Sequence, residues 1–163
     1  MSIVQMEEKR DIREFDLPKY NEIPDVGLYL KQVVKYINET LQPWFDITVT
    51  DTMISNYVKM HLVPNAVKKQ YYRDQIASFL FIVLAKPIVS LDNIQTLLNM
   101  RQEKYEADEA YELFRSSFMK TLRSIFCEEE YESQPADAYQ DLIRNIIIAI
   151  VQKYYIEKCF REL

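Results

Sequence analysis

Glycine is almost absent from this chain of 163 residues, Gly27 being the only one. Phosphate-cradling loops, dinucleotide-binding turns and nucleophile elbows all need glycine where backbone approaches a ligand or turns sharply. None of them can be built here. Histidine is as scarce, with His61 alone. A Ser-His-Asp or Cys-His mechanism would have to run through that one side chain, and histidine-rich metal sites are excluded. The cysteines, Cys127 and Cys159, stand at no metal-type or redox spacing. They read as buried structural thiols in a reducing cytoplasm rather than as a disulfide. The apolar run from Ile146 to Val151 is far shorter than the roughly 20 residues of a membrane span. The N-terminus is charged from the start and lacks a signal-type apolar region. These scarcities point to a cytoplasmic protein that is no enzyme, takes no cofactor and does not associate with membranes.

What is present is apolar mass and unevenly placed charge. Hydrophobic residues make up 48% of the chain, enough for a real core in one compact domain or a small module with a helical extension. The net charge of −5 argues against an indiscriminate nucleic-acid binder. Residues 1–47 carry nine acids and six bases, 48–101 three acids and six bases, and 102–163 thirteen acids and eight bases. Only the middle segment is basic, so phosphate contact is expected there.

In chain order, residues 1–24 read as an extended arm packed through Phe15, Leu17 and Tyr20. Asp25 is placed to cap an amphipathic helix from Val26 to about Leu41, with Leu30, Val33, Val34, Ile37 and Leu41 at helical spacing and Pro43 as its stop. A short helix then starts at Thr50 or Asp51 and runs to Met60. His61 stands where a glycine usually turns the chain, and a C-cap role is expected of it. Asp74 to Ala85 is apolar nearly all round, which marks a central helix halted by Pro87. Ser90 caps the helix carrying Leu91, Ile94, Leu97 and Leu98. The charged stretch around Arg101 to Glu109 is either a boundary or continuous helix. Ala107 to Ile125 and Leu142 to Phe160 then show long helical periodicities, joined by a turn at Ser133 to Asp137. The isoleucine density of the last segment leaves a buried strand open.

The candidate contact residues lie in the basic middle. On the short helix, Thr52, Ser55, Asn56 and Lys59 share the face opposite Ile54, Tyr57 and Val58. Short polar side chains with one lysine can hydrogen-bond base edges and phosphates, though they also suit a plain solvent face. Beyond it, Lys68, Lys69, Tyr71 and Arg73 interleave bases with a phenol, a combination suited to phosphate contact; an ordinary hairpin with a tyrosine on the core has the same pattern.

Residues Thr50 to Leu98 resemble the DNA-binding domain of MerR-type regulators. Met53, Ile54, Tyr57, Leu62, Val63 and Pro64 lie on that family's recognition helix and its exit. Tyr71, Ile76, Phe79, Phe81 and Ile82 lie on the helix after the wing, with Lys86 at a basic position. Ser90, Leu91, Ile94, Leu97 and Leu98 lie on the next helix. The family's Arg-Tyr pair is Ser55-Asn56 here, its helix-ending glycine is His61, and its Gly-Tyr-Arg wing element is missing. Beyond this core, the chain also resembles an uncharacterised bacterial family known only as a domain of unknown function. The resemblance implies a winged helix-turn-helix over 25–101 with a small wing hairpin, in a mainly α fold whose remainder, 102–163, reads from its apolar spacing as an antiparallel helical pair. It implies a transcriptional regulator that binds double-stranded DNA, and the apolar surface of the C-terminal helices is expected to pair two copies as a homodimer, with room for a small-molecule effector. The alternative is a protein-interaction module on the same scaffold that no longer binds DNA.

Overall fold

The computed structural model describes residues 10–163, so the start of the expected arm lies outside the described residues. Among these residues, six α-helices follow two single 3-10 turns, Ile12–Glu14 and Tyr20–Glu22. The helices are α1 (Leu30–Phe45), α2 (Asp51–Lys59), α3 (Arg73–Ala85), α4 (Leu91–Lys104), α5 (Ala107–Cys127) and α6 (Ala138–Arg161). No strand is present among the described residues, and two isolated bridges, Leu28 with Tyr71 and Val67 with Gln70, are the β-type pairing there. No helix among these residues is long and apolar enough to cross a membrane.

One buried cluster gathers side chains from the arm and all six helices. Of the expected arm contacts Phe15 and Leu17 are buried and Tyr20 is half-buried against the core, and Ile23, which the sequence does not single out, is buried as well. Phe15 meets Phe45 edge to face at 4.7 Å and Phe118 at 6.3 Å, joining the arm to α1 and α5. α3 lacks a polar face because it packs on both α5 and α6, with eight of its residues buried from Ile76 to Ala85. Burial of one large aliphatic side chain stabilises by roughly 1.5–3 kcal/mol, so fully enclosed residues such as Leu80, Ile82 and Ile147 carry much of the fold.

Several expectations need correction. α1 starts at Leu30, not Val26, and Asp25 instead accepts from the backbone N–H of Arg73 at 3.1 Å. Pro43 does not stop α1 but sits in its last turn, and the helix ends at Asp46 in the left-handed conformation. Lacking an N–H, Pro43 removes one helical bond near the end, where little helix remains to be broken. Its carbonyl accepts from Arg10 N–H at 3.0 Å. The charged stretch after Arg101, by contrast, does break the helix as its boundary reading expects, α4 and α5 being separated at Tyr105. Both cysteines are exposed free thiols, since Cys127 ends α5 and Cys159 lies on the outward face of α6.

The C-terminal pair is helical but runs parallel, not antiparallel. Gln140 at the start of α6 donates to Tyr105 just before α5, at 3.0 Å, while Phe126 at the end of α5 meets Tyr155 late in α6 at 5.5 Å. Residues 128–137 therefore form a strap that returns along α5. A 21-residue helix is about 31 Å long, and ten extended residues span about 33 Å, so the strap has the reach required. A tight turn at Ser133 to Asp137 would have forced the opposite orientation.

Candidate nucleic-acid interface

The face picked out by the basic middle segment is built on α2. Thr50 caps it by accepting from Met53 N–H at 3.2 Å, and Asp51 lies in its first turn. Its position on α1 is fixed by Asn38, whose side-chain amide donates to the Val49 carbonyl at 3.1 Å and accepts from Val49 N–H at 2.8 Å. Ile54 and Tyr57 are buried. At about 3.6 residues per turn, Thr52, Ser55, Asn56 and Lys59 then form one outward stripe. Thr52, Asn56 and Lys59 are exposed and Ser55 half-buried, and none of these side chains has a hydrogen-bond or ion-pair partner among the described residues.

The helix closes in a Schellman motif. His61 N–H donates to Val58 and Leu62 N–H to Tyr57, each at 3.0 Å, with His61 at φ 60°. The histidine thus takes the C-cap place expected of it, the left-handed position that glycine usually fills.

The wing hairpin expected after α2 is not shown. Val67 and Gln70 exchange two backbone hydrogen bonds of 3.0 Å around Lys68 and Lys69, forming a two-residue turn. The ladder goes no further, because Tyr71 instead exchanges bonds of 2.8 and 2.9 Å with Leu28. Lys68 and Lys69 have φ of 51° and 64°, the positive values that the favoured two-residue turn demands at both central positions. Both lysines are exposed without an acidic partner among the described residues. Gln75 braces the approach to the turn, donating to Pro64 and Asn65 carbonyls at 3.1 and 2.9 Å. Gly27 supports it from the other side at φ 83°, where an added Cβ would lie 3.1 Å from Gln70 and from the Tyr72 hydroxyl.

Two of the sequence candidates face inward. Tyr71 is buried against Phe79 at 5.4 Å, and burial raises its phenol pKa above the ordinary value. Arg73 donates to the Ile23 and Asn21 carbonyls at 2.8 and 3.2 Å, pairs with Asp25 and lies 5.4 Å over the Tyr20 ring. Its guanidinium ties the arm to α3. Lys86, at the end of α3, lies 5.6 Å over the Tyr57 ring from α2. Nothing in the chemistry of Asn38 or Gln75 marks their bracing roles in the sequence. For Gly27 rarity is the one available signal, since a lone glycine marks backbone that other residues fill poorly.

No group of three or more metal-ligating side chains is placed to hold an ion among the described residues. The apolar cleft between α3, α4 and α5, lined by Phe81, Leu98 and Phe114, holds about 40 Å³. Ligand pockets run to roughly 300 Å³ and above, so this cleft is too small for an effector.

Taken together these features define a helical protein with an exposed, unpaired polar face beside a basic turn. The chain belongs to the family described as a domain of unknown function, DUF1836, which matches residues 18–117. That match runs from the arm through α1 to α4 and into α5, and includes the whole α2 face. No curated protein and no solved structure matches the chain.

Proposed function

We propose that the chain is a DNA-binding regulator that uses α2 as a recognition helix. α2 enters the major groove, with Thr52, Ser55 and Asn56 facing base edges and Lys59 a phosphate. Lys68 and Lys69 hold the flanking backbone. Tyr71 and Arg73 act from behind, the first as core beneath the turn and the second as the anchor of the arm. A MerR-like arrangement and a dimer reading two half-sites belong to the same reading. The dimer surface is the exposed side of α6, where Ile148, Tyr155, Ile156 and Phe160 remain outside the core. The observation that carries the reading is the turn after α2: two adjacent lysines occupy strained, solvent-facing positions where glycine or asparagine is favoured.

Selection from a random duplex library at low salt tests this directly. A bound sequence should be recovered, and Lys68→Ala with Lys69→Ala should lower the salt slope by about one for each phosphate released. Phe160→Glu should convert a dimer into monomer without unfolding it. Failure to enrich any duplex would end the regulator reading. It would favour a protein-interaction module, for which exposed Met60, Val67 and Ile88 supply apolar surface.

A further inference from the structure

A second site lies away from the α2 face and shares no residue with it. The strap folds over α5 and α6 and encloses a cavity of about 270 Å³ between the two helices, close to the lower end of ligand-sized pockets. Its apolar wall is made by Leu113, Phe114 and Ile143, and Ser116 and Ser117 supply hydroxyls. Two cations reach it, Lys120 from α5 and Arg144 from α6, against one carboxylate from the strap, Glu132. Lys120 lies 5.9 Å over the Tyr131 ring, which ties the strap to α5. Arg144 pairs with Asp141 at 3.2 Å through one terminal nitrogen.

We propose that this cavity binds a small organic monocarboxylate with an apolar body. Arg144 lines the cavity, and its guanidinium is the planar donor group that carboxylates fit. Lys120 adds charge, and the wall of Leu113, Phe114 and Ile143 takes an aromatic ring or short alkyl chain. Lys120 has no acidic partner among the described residues and is the cation open to a single carboxylate. A phosphate dianion would meet Glu132 with too little neutralisation and leave the apolar wall unused. Binding here does not depend on DNA recognition by α2.

Isothermal titration of the full chain without DNA tests the site, using benzoate, phenylacetate and hexanoate, with benzamide and inorganic phosphate for comparison. At least one carboxylate should bind saturably, and benzamide at least tenfold more weakly than benzoate. Arg144→Gln should weaken that carboxylate roughly tenfold and Lys120→Met several-fold, while Lys35→Ala, at an exposed ion pair with Glu39, should leave it unchanged. Thermal melts establish that each variant is folded, and Lys120→Met carries the test if Arg144→Gln does not fold. Absence of saturable carboxylate binding, tighter binding of phosphate than of every carboxylate, or wild-type affinity in the folded cation variants would overturn the assignment.

Discussion

Tyr105 and Asp137, 32 residues apart, join the break between α4 and α5 to the first turn of α6 by a hydrogen bond from the phenol to the carboxylate. The same carboxylate caps α6 by accepting from Gln140 N–H at 2.8 Å and pairs with Lys104 at 3.3 Å. The Tyr105 bond, then the Gln140 bond and the lysine, lower the Asp137 pKa below its ordinary value.

A carboxylate lowered in the folded state stabilises above its unfolded pKa of about 3.9 and loses that contribution as pH falls through the folded value. Asp137→Asn keeps a capping oxygen but removes the charge. Its melting temperature should fall below wild type at neutral pH, and the gap should close as pH drops below about 4. Melts recorded from pH 7 downward check this; a gap independent of pH would assign the residue a purely neutral capping role.

Asn38 makes a reciprocal pair of bonds with the Val49 backbone in the connection between α1 and α2. Alanine there leaves both backbone groups without that partner, and a destabilisation of about 1–3 kcal/mol is expected. Urea denaturation measures it. Because Val49 immediately precedes the cap of α2, DNA binding should weaken in the folded variant as well.

At the tip of the basic turn, stability and function should separate. Lys68→Asn with Lys69→Gly installs the pair favoured at positive φ and should stabilise by about 1 kcal/mol. Under the regulator reading, the same double variant should bind duplex more weakly and with a shallower salt dependence. Stabilisation with unchanged binding would reduce the lysines to solvated loop residues.

The helices are far more legible in the sequence than their arrangement. Apolar spacing locates the last five helices because buried faces repeat at the helical period, and Thr50 and Ser90 mark their own caps. The start of α1 is obscured because Leu28 and the residues before Tyr29 continue an apolar pattern although Leu28 pairs with Tyr71. The orientation of α6 is not legible, since nothing local in residues 128–137 distinguishes a turn from a return strap. Arg144 and Lys120 are hidden for a related reason. Each lies on a helix that reads as an ordinary charged surface until the strap covers it. Tyr71 and Arg73 show the reverse, with residue types suited to phosphate turned inward by packing against Phe79 and the arm.

Among the described residues, five other than glycine adopt positive φ: Asp46, His61, Lys68, Lys69 and Glu128. Each strains the native backbone, yet each also narrows the range of conformations open to the denatured chain. A glycine at any of them would relax the fold while loosening the unfolded ensemble, so the two changes partly cancel. With Gly27 as its one glycine, this protein gives up less backbone freedom when it folds than a glycine-richer chain of its length, and part of its stability resides in the stiffness of the chain before any contact is made.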